Sequence, residues 1–180
     1  NVKFLFSPWA KLFGTSILRG YSVLFPTDIC YTEDEVFVKR FLMNTSLVRL
    51  FEHAHYYYTH ESSAPLSGRD YSGVELYTCL SIENSTHRQM ERRLGSIPQE
   101  YMQVYVRRKS FLVYRLLHKS IQESRKMNVD LIALVSELKR DYAPQLQYLG
   151  DLPQTYRLIR LVILYLPTPM AVLVIKMIIR

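Results

Sequence analysis

Apolar positions recur at helical spacing along most of this chain, and three short signatures mark where helices begin. Thr32-Glu-Asp-Glu35, Ser72-Gly-Val-Glu75 and Ser96-Ile-Pro-Gln99 each place a hydroxyl three residues before a Glu or Gln. In that arrangement the two side chains satisfy amides at the first helical turn. The first signature predicts a helix over 32–58, with Leu47, Leu50, Phe51, Ala54 and Tyr58 as its buried stripe. The second predicts a helix over 72–95 that stops at Gly95. Its stripe of Leu76, Leu80, Met90 and Leu94 is thin and interrupted by Glu83 and His87, so only partial burial is expected. The third opens the longest helix, to Lys126, with Pro98 in the first turn and Tyr101, Val104, Tyr105, Leu112 and Leu116 on the apolar face. A further helix over 129–142 aligns Leu131, Val135 and Leu138, and Pro144 stops it. Residues 61–71 and 150–153 have the Pro, Gly and Ser content of a loop and a turn.

The pattern changes at the C-terminus. Residues 161–179 carry one charge, Lys176, with Arg157, Arg160 and Arg180 at the ends. As one helix they cover roughly 28 Å at ~1.5 Å per residue, close to the hydrocarbon thickness of a bilayer. Lys176 then reaches the headgroups, and Arg157, Arg160 and Tyr165 anchor the interface. Pro167-Thr-Pro169 opposes a straight helix, because it removes amide donors and disfavours helical geometry before each proline. A kinked span requires neighbours that satisfy the freed carbonyls. In the competing reading, 158–166 and 170–179 are two short segments buried in a protein core. Their β-branched residues also admit a strand–turn–strand.

Composition bounds the rest. Hydrophobic residues make up 48% and charged residues 22%, a globular balance. The formal net charge is +7, which favours anionic partners: nucleic acid, acidic headgroups or an acidic protein face. Tyrosine is abundant at 14 residues, a side chain suited to interfaces and membrane boundaries. Residues 1–26 combine Phe, Leu, Trp and Ile with Lys3, Lys11 and Arg19 and contain no acid. That suits a basic amphipathic arm on a membrane or partner, or an apolar arm packed on its own domain. The expected organisation is an arm over 1–27, a helical domain over 28–157 and a hydrophobic segment over 158–180. Cys30 and Cys79 fit two buried thiols of a reducing compartment better than a disulfide framework, with one bridge left open. The first residue is not Met and no uninterrupted apolar signal core is present, so the chain is expected to follow either a removed targeting segment or a further stretch of the same protein.

No glycine-rich phosphate loop, nucleophile elbow, zinc-protease helix or calcium loop occurs. No enzyme activity, cofactor or small-molecule substrate is therefore expected. His53, His55 and His60 cluster without a carboxylate or Cys to complete a metal site. Arg107, Arg108, Lys109, Arg115, Lys119, Arg125 and Lys126, interleaved with Tyr, form the candidate surface for an anionic partner or lipid. In the same helix Val113-Tyr-Arg-Leu-Leu-His-Lys119, followed by Glu137-Leu-Lys-Arg140, resembles the LYR-motif proteins of mitochondria. That resemblance implies a small helical bundle that holds an acyl carrier protein or assists respiratory-complex assembly. Tyr114 and Arg115 would lie in the motif, and Lys119 in the basic row facing the acidic partner. The sequence departs from the pattern at Val113, where Leu is usual, and at Leu138, where Phe is usual.

Together these features predict an all-α chain, an irregular bundle of about four to five helices with a Pro-kinked hydrophobic C-terminal segment as a candidate transmembrane helix. The expected function is that of a non-catalytic accessory subunit of a mitochondrial inner-membrane complex, such as ATP synthase or a respiratory complex. Its expected partners are other subunits and membrane lipid. The alternative is a mitochondrial ribosomal or RNA-associated protein that binds rRNA through its basic helix.

Overall fold

The computed structural model describes residues 6–29, 31–49, 69–124, 130–142 and 154–179. Among these residues there are seven helices and no strand. They are α1 (Thr15–Gly20), α2 (Glu33–Leu42), α3 (Gly73–Leu94), α4 (Gln99–Ser124), α5 (Leu131–Asp141), α6 (Gln154–Tyr165) and α7 (Thr168–Ile178). The all-helical expectation holds. The helices outnumber those expected because the N-terminal arm contains a short one and the C-terminal run divides into two. The chain forms two units, residues 1–71 with 81–98 and residues 72–80 with 99–180.

In the first unit the apolar residues of the N-terminal arm pack on α2. Val23, Phe37, Val38 and Phe41 form a buried cluster against which Phe13, Ile17, Leu18 and Leu42 pack. The Phe13 ring stands edge-on to Phe37 at 5.1 Å and to Phe41 at 4.9 Å, and Phe25 stacks on Phe37 at 4.0 Å. Beyond α1 the chain turns at Ser22, which takes the left-handed conformation (φ 50) while Val23 N–H donates back to the Leu18 carbonyl.

Two sequence expectations fail here. Thr32 precedes α2 in the left-handed region (φ 66), and its hydroxyl makes no cap hydrogen bond, so the hydroxyl half of the first signature is absent. The helix also ends at Leu42 instead of running to Tyr58. Asn44 Nδ2 donates to the Arg40 carbonyl at 2.8 Å, a local bond that competes with helix propagation. Leu47 is 68% exposed and outside any helix. The rest of the expected stripe (Leu50, Phe51, Ala54, Tyr58), the three histidines 53, 55 and 60, Cys30, and loop residues 61–68 lie outside the described residues.

The core of this unit also contains charge. Lys39 is 1% exposed, with its Nζ 2.8 Å from Glu35 Oε1 and 3.0 Å from Glu83 Oε1. Glu83 and His87 are buried on the same α3 stripe as Leu76, Leu80 and Met90, so they belong to the inward face that they seemed to interrupt. Burial of these carboxylates is tolerable because the ammonium sits between them. Leu94 is exposed, and α3 stops at Gly95 (φ 74), as its sequence predicts.

In the second unit the signature at Ser72 forms. Ser72 N–H donates to Glu75 Oε2 at 2.8 Å, and Glu75 N–H donates to Ser72 Oγ at 3.2 Å. Gly73 N–H donates to Glu123 Oε2 of α4 at 3.0 Å. A Cβ at Gly73 would meet that oxygen at 2.8 Å, so glycine admits the carboxylate. The helix expected from Ser96 begins at Gln99, leaving Pro98 just before it, where a missing amide hydrogen breaks no helical bond. Tyr101, Tyr105, Leu112, Val113, Leu116 and Leu117 of α4 are buried. So are Leu131, Val135 and Leu138 of α5, which is capped by Asp130 accepting from Ala133 N–H. Tyr77 of α3 donates its hydroxyl hydrogen to Glu137 Oε1 of α5 at 2.9 Å, and that carboxylate holds the phenol above its ordinary pKa. Cys79 is a buried thiol.

Replacing Lys39 by Met removes the ammonium that contacts both buried carboxylates. The expected cost is about 3–5 kcal/mol in urea unfolding. Replacing Glu35 and Glu83 by Leu in the same Lys39→Met chain should recover most of that loss.

Candidate docking surface

Nothing in an apolar run prevents it from forming one long helix except the residues that cannot donate. In the C-terminal run these are Pro167 and Pro169. Here α6 closes with Leu166 N–H donating to the Val162 carbonyl at 3.1 Å. The backbone then turns extended at Pro167 (φ −53, ψ 143), and α7 starts at Thr168 with Pro169 in its first turn. A proline costs no helical hydrogen bond at either position. The Leu166 carbonyl, which a continuing helix would have used, accepts from Lys139 Nζ of α5 at 3.0 Å. A cation at a helix C-terminus also complements the partial negative charge there.

The candidate transmembrane helix is therefore unsupported. No helix among the described residues is long and apolar enough to cross a membrane. At ~1.5 Å per residue, α6 and α7 each reach roughly 18 Å or less, well under a ~30 Å hydrocarbon core. The two helices pack on each other and both pack on α5. Ile159, Val162 and Ile163 of α6 and Ala171 and Ile175 of α7 face inward, which is the buried-core reading for those five positions.

The other faces of the pair remain apolar and exposed. Leu158, Leu161 and Tyr165 line α6 at i, i+3 and i+7, and Met170, Leu173 and Met177 line α7 at the same spacing. Tyr165 is 75% exposed. Of the residues expected to anchor a membrane segment, Arg157 and Lys176 are exposed beside these stripes, Arg160 is half-buried, and Pro167 and Pro169 are exposed at the bend. Residues 154–180 include no Asp or Glu. The pair therefore offers two apolar stripes with positive charge nearby and no negative charge of its own.

The basic row of α4 is less continuous than its sequence suggests. Arg107 and Arg108 are exposed, Arg115 and Lys119 are half-buried, and Arg125 and Lys126 lie outside the described residues. Lys109 is buried at 1% exposure, its ammonium 5.4 Å from the centre of the Tyr105 ring. Its phase reveals this: it stands four residues after Tyr105 and three before Leu112, on the apolar stripe. Val113 is buried, and Tyr114 and Arg115 are half-buried. No family model, curated protein or solved structure matches the chain, so the likeness to LYR-motif proteins rests on those few residues alone.

The two faces of the helix pair predict opposite outcomes in chemical denaturation. Ile163→Ala or Ile175→Ala should cost about 2–5 kcal/mol. Leu161→Ser or Leu173→Ser should stay within about 0.5 kcal/mol, because these side chains already face water.

Proposed function

We propose that this chain is a non-catalytic structural subunit of a membrane-associated assembly, and that its C-terminal helix pair rests against an anionic bilayer surface. The observation that carries this reading is the pair of exposed stripes, Leu158-Leu161-Tyr165 and Met170-Leu173-Met177, on helices without an acid. An amphipathic helix of that kind lies in the interfacial plane, with its apolar side among the upper acyl chains and its cations among phosphates. Tyr165 suits the boundary, since its ring is apolar and its hydroxyl can remain in the headgroup layer. A neutral apolar partner would cover the stripes equally well but leave the Arg157 and Lys176 charges without a counterpart.

We take the assembly to be one of the mitochondrial inner membrane, such as ATP synthase or a respiratory complex. That choice rests on the acid-free basic N-terminus and the overall positive charge. The RNA-binding alternative has less to stand on, because Lys109 leaves the basic row for the core.

Vesicle flotation tests this reading. The chain should float with vesicles containing phosphatidylglycerol and do so at least about tenfold more weakly with neutral ones. A Leu161→Glu/Leu173→Glu variant with an unchanged circular dichroism spectrum should remain at the bottom of the gradient. Flotation indifferent both to lipid charge and to that variant would refute the proposal.

A further inference from the structure

The first unit contains an open cleft of about 500 Å³, a volume typical of small-molecule sites. Arg40, in the last turn of α2, lines it with Asn44 four residues on. Gln89, Arg92 and Arg93, at i, i+3 and i+4 near the end of α3, line it from a second helix, and Tyr21 lines it from the turn after α1. No Asp or Glu lines the cleft. Among the described residues, none of its three arginines forms an ion pair. The acid adjacent in sequence, Glu91, places its carboxylate 3.3 Å from His87 Nε2.

The bland explanation is that cations in last turns complement helix dipoles. That effect is worth about 0.3–1 kcal/mol each and needs no common cavity. It accounts for Arg40, Arg92 and Arg93 one at a time. It does not account for three arginines from two helices, Arg40 half-buried and Arg92 and Arg93 exposed, lining one hollow with no carboxylate. Arginine presents a planar fork that matches phosphate oxygens in pairs, and three forks exceed the charge of a single monoanion. The Gln89 amide and the Tyr21 hydroxyl supply neutral donors and acceptors for the remainder of a ligand, while Asn44 Nδ2 is held by the Arg40 carbonyl.

We propose that this cleft binds a small ligand carrying a phosphate group, or linked phosphates, with at least two negative charges. The ligand chemistry is shared by a soluble phosphate ester and a phosphomonoester lipid headgroup. The site draws only on residues of the first unit, so it does not rest on the role proposed for α6 and α7.

Calorimetric titration of the purified chain tests this. The probes are inorganic pyrophosphate, ATP and vesicles containing phosphatidic acid. The vesicle arm uses the Leu161→Glu/Leu173→Glu background, so that the C-terminal helices contribute no lipid binding. Pyrophosphate should bind one to one with a Kd below about 1 mM at physiological salt. An Arg92→Gln/Arg93→Gln variant should weaken it at least about tenfold. Arg40→Lys, which keeps the charge and loses the fork, should weaken it several-fold, and Arg107→Gln on α4 should leave it unchanged. Thermal melts establish that each variant is folded. Stronger binding of ATP assigns a soluble ester, and stronger binding of the vesicles assigns a headgroup, provided that the cleft substitutions abolish either one. Absence of saturation with every probe, or equal losses in the cleft and Arg107 variants, overturns the proposal.

Discussion

The C-terminal helix pair of the second unit is organised by the bend at Pro167, where the backbone turns extended and the helical hydrogen bonding stops. The hydrophobic C-terminal run becomes two short helices instead of one long one. The carbonyl released at Leu166 is taken by the ammonium of Lys139. This choice of partner is informative. A full charge at the midpoint of an apolar segment is expensive in the centre of a bilayer, whereas beside a folded protein it can keep part of its contact with water. The Lys139 ammonium thus stands at the bend, and neither helix of the pair is long and apolar enough to cross a membrane alone. Once the run is divided, one face of each helix packs on α5 and on the other helix of the pair, while a second apolar face of each is left exposed.

The first unit meets a different constraint. Beside its aromatic cluster it buries Lys39 in contact with Glu35 and Glu83. Such an arrangement contributes little net stability compared with apolar residues of similar volume, but it penalises any packing that separates the three groups. It ties α2 to α3 in a single register across the stretch of chain between them. The arginine cleft is lined by the ends of the same two helices, so the buried charges also fix the frame on which Arg40, Arg92 and Arg93 are mounted.

Local features of this fold were legible in the sequence, and long-range ones were not. Ser72 and Glu75 cap each other, Gly95 ends α3 in the left-handed region, and Leu131, Val135 and Leu138 align inward, all as short-range rules require. Thr32 has the same spacing to Glu35 as Ser72 has to Glu75, yet Glu35 forms an ion pair with Lys39. The side chain that makes this worthwhile, Glu83, stands 44 residues from Lys39 in the chain. Helix phase carried more information than the run of cations did. Three consecutive basic residues on a helix point in three directions, and Lys109 is the one that falls on the stripe of Tyr105 and Leu112. In the C-terminal run the prolines were visible, but the sequence alone did not show whether a partner for the freed carbonyl lay in lipid or in protein.

The most direct test is the sidedness of the C-terminal helix pair on a sealed bilayer. Single cysteines introduced as Gln154→Cys or Lys176→Cys, with Cys30 and Cys79 replaced by Ala, are exposed on anionic vesicles to a membrane-impermeant thiol reagent. A helix pair resting on one leaflet predicts full reaction from outside at both positions. Reaction at one position, with the other protected until detergent is added, would mean that the run crosses the bilayer and would contradict the placement of the pair on one leaflet.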